Sequence, residues 1–232
     1  MTNRFTKLAS QVALASALFT LSGLACAADP IKIGVSGPFT GGSSSMGVSM
    51  RDGVRLAVDE INKSGGVIGR QLQIIERDDE AKNERGVQIA QEMINKEKVA
   101  ATVGFINSGV ALAAQRFYQE AKIPVMNNVA TASVITHQFD DQPENYIFRN
   151  AAHDSIQAPM MVEEAITRRN FKKVAILADS TNYGQLGRAD LEKALELKGI
   201  KAVAVEKFNI KDVDMTPQLL KAKAAGAEAV LT

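Results

Sequence analysis

Short apolar runs alternate along this chain with amphipathic stretches at helical spacing, and that alternation predicts strand, helix, strand throughout. Residues 31–36 (IKIGVS) have no helical period and read as a buried strand. A glycine- and serine-rich loop at 37–47 follows. A helix then turns Met50, Val54, Ala57, Val58 and Ile61 inward and stops at 63–66, Lys-Ser-Gly-Gly. The same reading gives a strand at 71–78, a helix at 83–96 through Gly86, Ile89, Ala90, Met93 and Ile94, and a strand at 99–103. From there Val110, Ala113, Ala114, Phe117 and Ala121 recur on one helical face, with Gln115, Arg116, Gln119 and Glu120 opposite. Strands at 123–126 and 146–150 come next. A helix at 154–169 tolerates Pro159 near its start. Strand 173–178, helix 185–198 (Leu191, Ala194 and Leu195 inward) and strand 201–206 follow. The next helix has Thr216 as its cap, Pro217 at its first position and Gly226 past its end. Residues 227–232 read as one more buried strand. This order is the signature of an α/β protein with doubly wound parallel sheets. Two such runs predict two lobes, 28–150 and 151–232, the second incomplete. A sequence stopping on an inner strand is expected to be a piece of a longer protein.

One stretch, 99–136, organises the rest. Its two strands place Asn107-Ser108-Gly109 and the polar segment 128–133 at the same carboxyl edge of a parallel sheet, where open α/β folds bind ligands. Ser108 falls where an N-cap belongs. Its hydroxyl and the free amides of Gly109 and Val110, at the positive helix end, would seat a carboxylate. Thr131 and the carbonyls around Val129 offer acceptors suited to an ammonium. Against this stands a plainer reading, in which Ser108 only caps its helix and Thr131 only stabilises a turn.

The first 27 residues change the charge and cysteine picture. Arg4 and Lys7 precede an apolar stretch at 12–24 and an Ala25-Cys26-Ala27 cleavage site, the layout of an export signal cut after Ala27. Gly23, three residues before Cys26, is not the leucine that a lipidation site wants, and Ser16, Thr20 and Ser22 interrupt a run already short for a membrane span. Removing Arg4 and Lys7 takes 27 basic residues to 25 against 26 acidic, a net charge of about −1, which argues against nucleic acid or an anionic membrane as partner. The only cysteine, Cys26, leaves with the signal. Catalytic patterns are missing. The loop at 37–47 has neither G-x-x-x-x-G-K-[ST] nor G-x-G-x-x-G, no G-x-S-x-G occurs, and His137 and His153 lack neighbours at metal-ligand spacing. The acidic run Asp78-Asp79-Glu80 reads as solvated or capping, as does His153-Asp154. The expectation is no catalysis, no cofactor and no metal.

Several segments together carry a resemblance: Ser36-Gly-Pro-Phe-Thr-Gly41, Asn62-Lys-Ser-Gly-Gly66, Ile68-Gly-Arg-Gln-Leu72, Gly104-Phe-Ile-Asn-Ser108, Ile123-Pro124, Ala130-Thr131-Ala132 and Asp179-Ser-Thr-Asn-Tyr-Gly184. With its signal peptide, the chain resembles the periplasmic branched-chain amino-acid-binding proteins, type I solute receptors of ABC importers. The resemblance implies two lobes joined by a hinge and closing on a small amino acid, a monomer without cofactor that delivers its ligand to membrane permease subunits. It implies that Ser108 and Val129-Ala130-Thr131 bind the ligand's carboxylate and ammonium. Tyr183 reaches in from the second lobe, and the acid completing the ammonium site is expected beyond Thr232. Met46 stands where an aromatic often lines the side-chain pocket, and Asn107 where some members have a disulfide cysteine. Phe105 with Met46 would line a larger pocket, which keeps an aromatic acid or amide open as ligand. A sensory ligand-binding module is the alternative within the fold, and an enzyme a more distant one.

Overall fold

A computed structural model describes residues 29–232; the expected export signal and the cleavage expected after Ala27 lie outside them. Five strands form the first sheet: β1 Ile31–Gly37, β2 Leu72–Asp78, β3 Ala101–Gly104, β4 Val125–Asn127 and β5 Ile147–Arg149. Between them run α1 Ser44–Lys63, α2 Asn83–Glu92 (continued by a wider turn, Met93–Glu97), α3 Ser108–Glu120 and a 3-10 turn, Ser133–His137. All pairings are parallel in the order β2-β1-β3-β4-β5. Gly37 pairs with Asp78, and Asn127 pairs with both Gly104 and Arg149, so the strands finish at one edge. The order reverses between β1 and β3, and the loops after those two strands flank a switch-point crevice.

The second sheet holds β6 Val174–Asp179, β7 Ala204–Phe208 and β8 Ala229–Leu231, parallel in the order β7-β6-β8. Its helices are α4 Asp154–Val162 (continued through Glu163–Arg168), α5 Asn182–Glu196 and α6 Thr216–Ala224. Each sheet has its own apolar core. Ile89, Met93, Val110, Ala114, Tyr118 and Val125 anchor the first, and Val162, Val174, Ile176, Leu191 and Leu195 the second.

Two helical faces differ from the sequence pattern. In α3 the buried residues are Val110, Ala111, Ala114, Gln115, Tyr118 and Gln119, whereas Ala121 is exposed. The glutamines are buried because they serve the long segment after β4. Gln115 Nε2 donates to the Ile135 carbonyl (2.9 Å), and Gln119 Nε2 donates to the Glu144 carbonyl (2.7 Å) while its Oε1 accepts from the Tyr146 N–H (2.9 Å). In α1 only Gly47 and Met50 are fully buried, while Ala57 and Ile61 face solvent. Its last turn is fastened by Asn62, which donates to the Leu72 carbonyl (2.9 Å) and accepts from the Leu72 N–H (2.7 Å). Strand β7 begins three residues later than the pattern placed it.

The acidic run is structural. Asp78 accepts from the Phe39 N–H (2.8 Å) and the Thr40 hydroxyl (2.6 Å), tying the loop after β1 to the end of β2. Asp79 is buried rather than solvated, and accepts from the Ser36 hydroxyl (3.2 Å) and the Ala81 N–H (3.0 Å). Burial pushes its carboxyl up to about 6, against the pull of the Ala81 and Ser36 hydrogen bonds. The folded chain therefore holds a proton that the unfolded chain has released above its ordinary value of 3.8. Stability due to this group is full at low pH and is lost as pH rises from about 4 to about 6, by about 3 kcal/mol at most. In denaturant melts across that window, Asp79→Asn is expected to flatten this part of the pH profile; an unchanged slope would contradict the assignment.

Candidate functional site

The first-lobe wall of the crevice is built where the loops after β1, β3 and β4 meet. Met46 is half-exposed on α1, and with Ser45, Ser49, Asn128 and Val129 it lines a hollow of about 480 Å³. Asn107 is the true N-cap residue of α3, one position earlier than the sequence suggested. Its Nδ2 lies 3.4 Å from the Ser43 hydroxyl and bridges the loops after β1 and β3, while its Oδ1 is buried without a partner.

Ser108 is the first residue of the helix and is 1% exposed. Its hydroxyl turns inward and accepts the Ala132 N–H at 3.3 Å, so it shapes the loop after β4 rather than lining the hollow. The helix end is enclosed too. A side chain at Gly109 would meet Asn83 Oδ1 at 2.9 Å and the Asn182 Cβ of the second lobe at 3.5 Å. Ala130 is buried, its N–H donating to the Phe105 carbonyl (3.0 Å). Phe105 itself is fully buried in the first core and does not line the crevice, because packing takes up its whole ring. The larger pocket expected from Phe105 with Met46 is therefore not formed by that pair.

Thr131 stands at the junction of the lobes. Its carbonyl accepts from the Asp154 N–H (2.9 Å) and from Arg149 Nη1 (3.3 Å), which also reaches the Ala132 carbonyl (2.9 Å). Its hydroxyl lies beside both the Asp154 carboxyl and the Tyr183 phenol. Tyr183, half-exposed on α5, lines a second cavity of about 340 Å³ with Asp154, Gln157, Asp179, Arg188 and Phe208. Burial, then the Asp154 charge, raises the phenol above its ordinary value. Asp179 is spent on local structure: its Oδ1 accepts the Thr181 N–H (2.7 Å) and so fixes the turn into α5. Across the junction Ser133 Oγ donates to Asp190 (2.7 Å) and accepts from the Ser155 N–H (2.8 Å), and Leu186 packs on the first-lobe core.

Of the residues picked from sequence, Met46 and Val129 share the first-lobe hollow, with Asn107 close by. Thr131 and Tyr183 meet at the junction. Ser108, Ala130 and Phe105 lie behind this surface. The sequence does not single out Arg149, and Asp154, read there as solvated or capping, is buried. The available signals were an arginine ending an apolar strand and an acid opening the next helix, each more often a surface feature. Among the described residues no three of His, Cys, Asp and Glu gather as metal ligands, and no helix is long and apolar enough to cross a membrane.

A family profile described as periplasmic binding protein matches residues 30–232. The leucine-, isoleucine-, valine-, threonine- and alanine-binding protein of Pseudomonas aeruginosa is 31% identical over 229 residues, covering 99% of this chain and 59% of that protein. The branched-chain amino acid transporter substrate-binding protein LivJ of Streptococcus pneumoniae, solved with isoleucine, superposes with a TM-score of 0.75 at 27% identity, covering 87% of this chain and 56% of that one. An ABC-transporter solute-binding protein of Rhodopseudomonas palustris, solved with 3,4-dihydroxybenzoic acid, gives 0.73 at 28%, covering 87% and 53%. The chain thus spans somewhat over half the length of the relatives it matches. It belongs to the periplasmic binding protein family, and its fold is that of the type I members.

The buried hydroxyl of Ser108 sets a test of how the loop after β4 is held. Ser108→Ala leaves the Ala132 N–H without a partner and is expected to cost about 1–3 kcal/mol of folding stability. Urea unfolding of the two proteins measures this, and equal midpoints would show that the loop holds without the bond.

Proposed function

We propose that the full-length protein is an exported, non-enzymatic receptor that captures an α-amino acid between its lobes and presents it to the permease of an ABC importer. One observation carries the reading: Thr131, from the loop after β4, accepts the Asp154 N–H, and Asp154 lines one cavity with Tyr183 of α5 where the two lobes meet. A group held there touches both lobes at once, so its binding free energy favours the closed arrangement over an open one. The relatives support the ligand class, since one is named for leucine, isoleucine, valine, threonine and alanine, and another holds isoleucine.

In this reading the hollow beside Met46 and Val129 takes an aliphatic side chain, and Asn107 supplies an unpaired buried acceptor next to it. Ser108 and Ala130 act one step back, through the loop whose shape they set. Export by residues 1–27, action as a monomer in the periplasm, and division into lobes at 28–150 and 151–232 belong to the same proposal. An aromatic acid is the second reading. It is favoured by the apolar lining of the cavity below Tyr183, with Met161, Leu177 and Phe208, and by the dihydroxybenzoate complex of a relative at 28% identity.

A thermal-shift screen of the full-length protein against α-amino acids, aromatic acids and small amides separates these readings. A ligand at 100 times its Kd stabilises the fold by about 2.7 kcal/mol. Protection by branched-chain or related amino acids is expected. Protection by aromatic acids alone would replace the ligand class, and silence across the panel would contradict the receptor reading. For the amino acid that protects best, Thr131→Ala is expected to weaken binding by about 1–3 kcal/mol, the range for a hydrogen bond to a charged group. Titration calorimetry reads that loss, and an unchanged affinity would return Thr131 to a turn residue.

A further inference from the structure

The hollow of about 480 Å³ on the first-lobe wall is not uniformly apolar. Met46, Met50 and Val129 give it a hydrocarbon lining, while Ser45 and Ser49, one turn apart on α1, and Asn128 border the same space. Asn128 follows β4 directly and is half-buried, yet its Oδ1 is fully enclosed and meets no hydrogen-bond donor. In the neighbouring loop after β3, Asn107 Oδ1 is in the same condition. A carboxamide oxygen can only accept. Burying one without a donor costs the desolvation of the group, so folded proteins keep few such atoms, and each asks for a partner.

The donors nearby are spent elsewhere. The Asn128 N–H goes to the Gly104 carbonyl (3.1 Å) and the Ala130 N–H to the Phe105 carbonyl (3.0 Å). Asn127 Nδ2 donates to the Phe148 carbonyl (3.2 Å), and Asn107 Nδ2 lies 3.4 Å from the Ser43 hydroxyl. The first cation of α1, Arg51, lies over the Phe39 ring and donates to Asp52. A hydrocarbon side chain filling the hollow would pack on Met46 and Val129 and leave the Asn128 oxygen unpaired. One of the same shape that carries an O–H or N–H would fill the space and pair the oxygen too. Sites with an enclosed polar atom discriminate sharply against ligands that lack its partner.

We propose that the ligand's side chain carries an O–H or N–H donor that Asn128 Oδ1 receives in this hollow, so that Asn128 selects a hydroxyl or carboxamide side chain over the hydrocarbon of the same shape. The proposal rests on the receptor reading above and narrows its ligand class. Met46, Met50 and Val129 take the carbon of that side chain, and Asn128 takes its polar end.

The test is calorimetric titration of the full-length protein and its Asn128→Leu variant with two near-isosteric pairs, L-threonine with L-valine and L-asparagine with L-leucine. The polar member of one pair is expected to bind the wild type about tenfold or more tighter than its hydrocarbon partner, the scale of one hydrogen bond to a buried acceptor. That preference is expected to vanish or reverse in the variant. Hydrocarbon members that bind as well or better in both pairs would overturn the proposal, and so would a polar preference that survives in Asn128→Leu. Either result leaves the receptor reading standing. If none of the four binds, the amino-acid reading falls by itself, and acetamide decides Asn128 separately. Thermal protection of the wild type by acetamide that is absent in Asn128→Leu keeps the donor site. No protection, or equal protection of both proteins, removes it.

Discussion

Residues 128–132 belong neither to a helix nor to a strand, so every buried polar group of their backbone must be satisfied from outside. The neighbours that do so define the molecule. The Asn128 N–H donates to the Gly104 carbonyl and the Ala130 N–H to the Phe105 carbonyl. The Ala132 N–H goes to the Ser108 hydroxyl, and Arg149 and the Asp154 N–H satisfy the carbonyls of Thr131 and Ala132. Residues from β3, α3, β5 and α4 are thereby drawn to one short loop. Because Arg149 ends the first sheet and Asp154 opens the first helix of the second lobe, the same bonds that shape the loop also fix where the second lobe starts.

The lobes meet through small and polar groups rather than through a shared apolar core. Gly109 at the start of α3 lies against Asn182 at the start of α5, and Ser133 is bonded to Asp190. Leu186 of α5 packs on the first-lobe core. Contacts of this kind are separable at modest cost, as the proposed capture of a ligand between the lobes requires. The bulk of each core stays on its own sheet.

Much of this architecture is legible in the sequence because its signals are local. Apolar runs such as 173–178 have the length and composition of inner strands, and the loops after them fall at the carboxyl edge by the logic of parallel sheets. The rest depends on partners far along the chain. Gln115 and Gln119 look like a solvent face, yet they are buried because carbonyls some 20 residues away need donors. Ser108 looks like a cap that faces a ligand, and its hydroxyl instead holds Ala132. Phe105 follows a strand as a pocket residue would, but its ring is fully buried in the first core. Asp154 reads as an ordinary helix-opening acid until the enclosure of its second oxygen is seen. In each case residue type and spacing are compatible with both roles, and only the distant partner decides.

The claim that joins these observations is that the lobes close through the starts of α3 and α5. A Cβ at position 109 would lie 3.5 Å from that of residue 182. That is within the span of about 3.5–4.5 Å that a disulfide bridges. The decisive measurement is the rate of disulfide formation in the full-length Gly109→Cys/Asn182→Cys protein under mild oxidation, with and without the amino acid that protects it best from heat. The bridge is expected to form, and to form faster with ligand bound. No bridge, or a rate indifferent to ligand, would contradict closure at this contact.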